Sequence, residues 1–567
     1  MTEHNDGYDR VPNAVEVSVW IVSSFQHSAP DDLDLPHALI VPSSNNWNDF
    51  GYRHYAEMRV RNEEGDARSF HLKIAFEGAN GTDTYLNAVL EERSSPVSLV
   101  SIESPYLSLL HEESAYRELV EHLGFEESVG LLRSLRDLSL MRVEGMDDAA
   151  TRMFESEAAY TGLLRSSDAY GALERGARHI RPKPTTAVGD AASTFSAAVR
   201  LPNIDNTYDL EFLFGDDLEL PSRSAVLIGE NGTGKTQLLS SLVRSVAEPS
   251  DDGVVEGLNA TRIIVFSSVP TDPFPRTIGA WRGLDYVYYA TNARDEGSDG
   301  VMHAALAFCR RDAGTPFLLN GNERSRWSLL KRALNSIGMW EELHVPLREI
   351  GDGEEEFGET IRTKNGLYAP VRLKMGEKRD LDLTRRVDPS RPVIVTDDDE
   401  DARALSSGEY AMLRFAVQAV ASIEQGSLLL LDEPESHLHP RYITQLMVLL
   451  DELLEATRSI AIIATHSSYV VREVPRSQVF VLRVDEREGR TERPRLQTLG
   501  ASVDAISQFV FGDLSIDPRY HKRLLDWAKA VQPDEDIEAL VDAHAESLNA
   551  ETISFLARKL QPDDSVE

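Results

Sequence analysis

Alternation of apolar and polar residues dominates the first eighty positions. Val15, Val17, Val19 and Ile21 alternate with Glu16, Ser18 and Trp20, the period of a strand buried on one face. Ala56-Glu-Met-Arg-Val60 and Phe70-His-Leu-Lys-Ile-Ala-Phe76 alternate on either side of Glu63-Glu-Gly-Asp66, which predicts a hairpin. The stretch 45–51 between these strands is rich in Asn and predicts a packed turn, with a recognition loop as the alternative. From about 85 to 180 the apolar residues take helical spacing, as at Leu119, Leu123, Leu131, Leu132, Leu135 and Leu138. No heptad persists, which argues against a coiled-coil arm. The basic run Arg175-Gly-Ala-Arg-His-Ile-Arg-Pro-Lys-Pro184 predicts a linker and a domain boundary near 190, with a nucleic-acid or partner contact as the alternative.

Later runs are apolar throughout: Ala225-Val-Leu-Ile228, Ile263-Ile-Val-Phe266, Leu428-Leu-Leu-Leu431 and Ile460-Ala-Ile-Ile-Ala464. Such runs predict strands covered on both faces in a parallel sheet. The first breaks into Gly229-Glu-Asn-Gly-Thr-Gly-Lys-Thr236 and then into a helical pattern from Leu238-Leu239. A strand ending in this turn aims backbone N–H groups inward at the positive end of a helix dipole, where a phosphate accepts them. This is a P-loop; a glycine turn before a surface helix is the alternative for the eight residues alone. The expected nucleotide-binding residues are Gly229, Glu230, Asn231, Gly232, Thr233, Gly234, Lys235, Thr236 and Gln237, with Lys235 on the β and γ phosphates. The run 428–431 ends in Asp432 and Glu433, two carboxylates at the edge where ligands of open α/β sheets sit. Thr236 and Asp432 are the expected Mg²⁺ ligands, and Glu433 the group that polarises the attacking water. The run 460–464 leads to Thr465-His466-Ser467, bringing an imidazole to the same edge.

The formal charge of −36 over 567 residues excludes long-range attraction to nucleic acid, so any such contact needs a local patch. Arg324, Arg326, Lys331 and Arg332 beside Trp327 are the candidate, a solvated helix face being the alternative. A single cysteine, Cys309, allows no internal disulfide and fits a reducing compartment. No signal-peptide pattern or membrane-length apolar run occurs, so a cytoplasmic protein without membrane contact is expected. The acidic runs 354–356 and 397–401 predict solvated loops. Tyr208, Phe212 and Phe214 predict core aromatics, with adenine stacking as the alternative.

The P-loop, Leu405-Ser-Ser-Gly-Glu409, Leu431-Asp-Glu-Pro434 and Thr465-His466-Ser467 resemble, in order and spacing, the four motifs of ABC-class ATPases. In that class two nucleotide domains pair head to tail. The resemblance implies ATP and Mg²⁺ as cofactors and a homodimer or higher homo-oligomer through the ATP sites. It further implies that Ser406 and Gly408 contact the γ phosphate of the partner's ATP, and that His466 acts with Glu433 as the switch histidine. Read alone, Ser406 or Ser407 is an ordinary helix N-cap. Glu433-Pro-Glu-Ser-His-Leu-His-Pro440 is similar to the soluble RecF-like, SMC-like and overcoming-lysogenization-defect branch. Transporters carry a different loop there and a glutamine after the strand at 262–268, which this chain lacks. His437 and His439 are expected to shape the loop and not to bind metal.

The expected fold is α/β: an ABC-type P-loop NTPase at 195–485 with a helical and β insertion at about 285–395. An N-terminal accessory domain, β-rich over 1–80 and helical over 85–180, precedes it, and a helical tail spans 486–567. The tail shows no nuclease constellation. Its segment 498–512 is similar to the tail of ATPases in Septu-type anti-phage systems, which work beside a separate HNH nuclease. The implied function is an ATPase that dimerises around ATP and regulates an effector, an HNH nuclease or toxin, in defence against phage. A RecF-like repair ATPase that holds DNA and an ATP-locked scaffold with little turnover are the alternatives.

Overall fold

The computed structural model describes residues 15–25, 33–43, 52–180 apart from 94, 155, 157 and 165, 194–214, 222–247, 253–276 apart from 270, 285–291, 298–311, 317–319 and 322–349. It also describes 359–373, 383, 386–388, 390–396, 402–511 apart from 437, 519–531, 552–553 and 555–556. The expected loops at 45–51, 354–356 and 397–401, and His437, lie outside the described residues.

N-terminal alternation builds a six-stranded sheet in the order Val97–Ser98, Ser18–Ile21, His37–Pro42, Tyr55–Arg61, Ala67–Phe76, Tyr106–Leu110. Val17, Val19 and Ile21 face its core. Tyr55–Arg61 and Ala67–Phe76 form the hairpin, closed by Asn62 accepting from the Asp66 N–H at 2.8 Å. Helices including Thr82–Arg93, Glu113–Leu123, Phe125–Ser134 and Ser167–His179 cover the sheet. Tyr106–Leu110 corrects the purely helical expectation for 85–180: it is a strand, buried at every residue, paired with Ala67–Phe76. Five residues with Ser108 in the middle are too short to display a period, so strand and helix look alike there.

The second core begins at Phe195. Its main sheet runs in the order Tyr286–Ala290, Ile263–Ser267, Leu428–Asp432, Ile460–Thr465, Ser224–Gly229, Val479–Asp485, Glu488–Glu492. All neighbours are parallel except the last pair. The helix Lys235–Ala247 seals one face with Leu238, Leu239, Leu242 and Val243, an apolar stripe at helical spacing. Tyr208, Phe212 and Phe214 are buried in this core.

Two expected boundaries shift. Tyr286–Ala290, placed in the insertion by sequence, is the sheet's edge strand, paired in parallel with Ile263–Ser267. The insertion proper carries the helices Ser298–Arg311 and Arg326–Ser336 and a five-stranded antiparallel sheet that ends at Ala402–Ala404, directly before the helix Ser407–Ser422. Glu488–Glu492, expected in the helical tail, hydrogen-bonds to Val479–Asp485 and belongs to the main sheet. The chain divides into two compact units, Met1–Val503 and Asp504–Glu567. In the second, Ala528, Phe555 and Leu556 make a small apolar cluster with Leu524, Leu525 and Trp527.

Residues 175–179 of the expected linker belong to the end of the helix Ser167–His179, while 181–184 and the expected boundary near 190 lie outside the described residues. Arg175 pairs with Glu113 at 2.6 Å, and Arg178 reaches out of the N-terminal core to Asp285 at 2.9 Å and Glu424 at 3.1 Å. Glu424 also accepts from Arg326 at 2.8 Å, while Arg262 bonds Asp285 at 2.8 Å and the Ser422 carbonyl at 2.6 Å. Burial alone would raise the Glu424 carboxyl, but Arg178, Arg326 and Arg262 override it and hold it at about 2. A depressed carboxylate stabilises the fold fully above its unfolded value, roughly 4.3, and that contribution is lost as the pH falls toward about 2. Removing one partner of a buried ion cluster strands the others. Glu424→Ala should therefore cost about 3–5 kcal/mol in urea unfolding at neutral pH, and much less near pH 2.

Candidate nucleotide-binding site

Register brings the site together. Ser267, Asp432, Ala464 and Leu227 lie side by side across four parallel strands, so the segments that follow them leave the sheet at one edge. The P-loop starts two residues beyond Leu227. Gly232 and Gly234 have φ of +88° and +87°. A Cβ on Gly234 would also sit 2.7 Å from the Leu201 side chain, so only glycine fits there. Thr233 braces the turn by donating its hydroxyl to the Glu230 carbonyl at 2.9 Å. Glu230, Asn231 and Gln237 are exposed.

Lys235 is buried and donates to the Gly229 and Glu230 carbonyls at 2.9 and 3.1 Å. Burial lowers its pKa, while Glu433, Asp432 and Glu435 pull the other way. The Thr236 hydroxyl donates to Asp432 Oδ1 at 2.9 Å. Asp432 is fully buried, and this desolvation pushes its carboxyl up to about 7 despite the Thr236 hydrogen bond. One buried carboxylate and one hydroxyl at the start of a helix suit Mg²⁺, which takes one or two protein oxygens and fills its octahedron with water and phosphate. At the end of the strand Ile263–Ser267 two serines face the Asp432–Glu433 turn. Ser267 lies 3.4 Å from Asp432 Oδ2, and Ser268 donates to the Asp432 carbonyl at 3.0 Å and to that of Glu433.

Glu433 turns the chain with φ +49°, a left-handed conformation rare for a residue with a side chain. Its N–H donates to Ala464 O at 2.8 Å, and its own carbonyl accepts from Ser268 and from the Ser436 N–H at 3.0 Å. Strain held by this many bonds marks a site where the side chain must be aimed. The Glu433 carboxylate lies 3.4 Å from His466 Nδ1. Glu435, not singled out by sequence, lies buried beside them: it accepts from the Thr465 hydroxyl and from the His466 N–H at 3.1 Å. A third acidic residue two positions after Glu433 was the only available signal.

Ser406 and Gly408 are not brought to this P-loop by the bonds they make. Ser406 caps the helix Ser407–Ser422 in a reciprocal capping box with Glu409, which Arg403 clamps at 2.7 Å. Its hydroxyl also lies 3.3 Å from that of Tyr442, and a Cβ on Gly408 would meet the Tyr442 ring at 2.6 Å. Ser406 is exposed. His439 caps the helix Pro440–Thr457, accepting from the Arg441 N–H at 3.3 Å. Among the described residues no group of three or more His, Cys, Asp or Glu is placed to hold a metal.

The basic patch comes apart. Arg326 is fully buried, donating to the Val420 and Ile423 carbonyls and to Glu424. Arg332 pairs with Glu452, and Trp327 packs on Trp340 with ring centres 5.0 Å apart. Lys331 is exposed, and the Arg324 side chain lies outside the described residues. Sequence showed four nearby cations, but not the carboxylates and helix-end carbonyls that take two of them.

Residues 374–472 match the protein family described as “AAA domain, putative AbiEii toxin, Type IV TA system”. The matched stretch holds Ser406, Gly408, Asp432, Glu433, Glu435 and His466. The fold is α/β, a largely parallel sheet with a P-loop between the strand Ser224–Gly229 and the helix Lys235–Ala247. Protein ea59 of Escherichia phage lambda is 32% identical to this chain over 297 residues, which make up 50% of this chain and 53% of that protein. The chain thus spans about half the length of this curated relative. Among solved structures, the SMC head domain from Thermotoga maritima is 11% identical, with 54% of this chain and 99% of that chain covered and a TM-score of 0.28. A chain described as “a putative metal-chelate type ABC transporter”, inward-facing, is 14% identical, with coverages of 57% and 89% and a TM-score of 0.27. At these scores the two likenesses add nothing to the fold already described. No helix among the described residues is long and apolar enough to cross a membrane.

Proposed function

We propose that the chain binds ATP and Mg²⁺ at this sheet edge and hydrolyses ATP, with two copies closing head to tail around the nucleotide. The observation that carries this reading is the set Lys235, Thr236, Asp432, Glu433 and His466, gathered at one edge by strand register. On binding, Lys235 exchanges two P-loop carbonyls for phosphate oxygens, and the loop's N–H groups take the rest. Thr236 and Asp432 would hold Mg²⁺, which would supply positive charge to the phosphates. Glu433 accepts a proton from the attacking water as the water oxygen bonds to the γ phosphorus and ADP departs. His466, 3.4 Å from Glu433, orients that carboxylate and meets the γ phosphate. Ser406 and Gly408 of the second copy complete the pocket.

The reading extends to regulation of an effector in conflict between phage and host, in the cytoplasm. It is supported by a family description that names a toxin and by a relative that belongs to a phage. The effector is a partner protein, a nuclease or toxin, whose activity follows the ATP-closed dimer. Phosphate release together with light scattering tests the core of the proposal. Mg–ATP should double the particle mass and be consumed. ATP retained by a stable dimer without release of phosphate would contradict hydrolysis and favour a scaffold.

A further inference from the structure

We infer that Glu435 is the positioning residue of the switch: its buried carboxylate fixes the main chain at His466 and so holds the imidazole against Glu433. The inference rests on the reading of Glu433 and His466 as ATP-facing groups, and it adds the residue that places one relative to the other.

The strand Ile460–Thr465 ends its ladder at Thr465, paired with Ile228. The next N–H, that of His466, has left the sheet and needs an acceptor. Glu435 Oε1 supplies it at 3.1 Å, and the same oxygen takes the Thr465 hydroxyl hydrogen. Thr465 Oγ1 in turn accepts from the Ser467 N–H at 2.8 Å, and Ser467 caps the following turn through Tyr469 N at 3.2 Å. One carboxylate therefore anchors the residues on both sides of the imidazole.

An acceptor-only group suits this place because every donor converges on it. Glu435 is 5% exposed, and its second oxygen is buried without a hydrogen-bond partner among the described residues. So costly a placement for a carboxylate calls for a return in geometry. The geometry is visible: His466 Nδ1 stands 3.4 Å from Glu433 Oε1 and 3.6 Å from Glu435 Oε1, at the mouth between two carboxylates two residues apart. The shorter of these distances is the longer-range consequence of the backbone bond. Without Glu435 the His466 N–H and the Thr465 hydroxyl lose their acceptor, and the loop carrying the imidazole is free to drift.

Amide hydrogen exchange on the nucleotide-free chain tests this without any appeal to activity. In Glu435→Ala the amides over 465–467 should exchange about tenfold faster, the loss of one buried hydrogen bond, while the rest of the sheet keeps its protection. Glu435→Gln retains an oxygen at the same place and should keep the parent's protection. Glu435→Asp, shorter by one methylene, should behave as the Ala variant does, and serves in its place if that variant does not fold. In phosphate release, Glu435→Ala should lower kcat roughly ten- to a hundredfold with KM for ATP nearly unchanged, the usual effect of a lost orienting partner. The Gln variant should recover most of that loss. Unchanged exchange over 465–467 in both disruptive variants, or a Gln variant as slow as the Ala variant, would overturn the assignment. Should Glu433→Gln leave turnover intact, the proposed role of Glu433 fails while the exchange result still reports on Glu435.

Discussion

Lys235→Ala is expected to weaken ATP binding by roughly a hundredfold, the value of about 3 kcal/mol for charge-assisted bonds to phosphate, and to take turnover below detection. The ammonium is already buried, with its position set by the Gly229 and Glu230 carbonyls at 2.9 and 3.1 Å. Nucleotide binding therefore needs only an exchange of acceptors, without recruiting a mobile side chain from solvent. Removing the group also removes a charge that burial disfavours, as the lowered pKa shows. The fold should consequently melt within a few degrees of the parent, and the loss read by calorimetric titration with ATP is then a loss of binding and not of structure.

Glu433→Gln is expected to separate binding from chemistry. The amide keeps the size of the side chain and leaves the φ +49° turn with its bonds to Ala464, Ser268 and Ser436. It cannot accept the water's proton, so phosphate release should fall by about 10²- to 10⁴-fold, the range for loss of a general base. ATP affinity should be retained or improved, because the Glu433 charge adds to the burial that pushes the Asp432 carboxyl up. The variant should accumulate as an ATP-bound dimer. Turnover equal to the parent's would remove Glu433 from the reaction.

What sequence revealed of this site was whatever lies contiguous in it. The P-loop, the paired carboxylates at 432–433 and His466 each follow an unbroken apolar run, and a buried parallel strand delivers its next residue to one known edge. Side chains whose meaning depends on a distant partner were not legible. Arg326 looked like a surface cation until the helix end at Val420 and Ile423 was folded over it. Arg178 looked like linker until Asp285 and Glu424 arrived from the other core. Ser267 and Ser268 gave no sign until pairing with Leu428–Asp432 set them beside Asp432. Tyr106–Leu110 and Tyr286–Ala290 were misplaced for a related reason: edge and short strands are defined by what they pair with, and the chain alone does not display it.

In the proposed dimer the pocket is shared, with Ser406 of one copy facing Lys235 of another. Mixing two inactive variants, Lys235→Ala and Ser406→Arg, separates a shared pocket from a self-contained one. In a head-to-tail pair the mixed dimer has one doubly damaged pocket and one intact pocket, so phosphate release should recover to about a quarter of the parent's with random pairing of equal amounts. No recovery from a mixture in which mixed dimers are seen by native mass spectrometry would contradict the shared pocket.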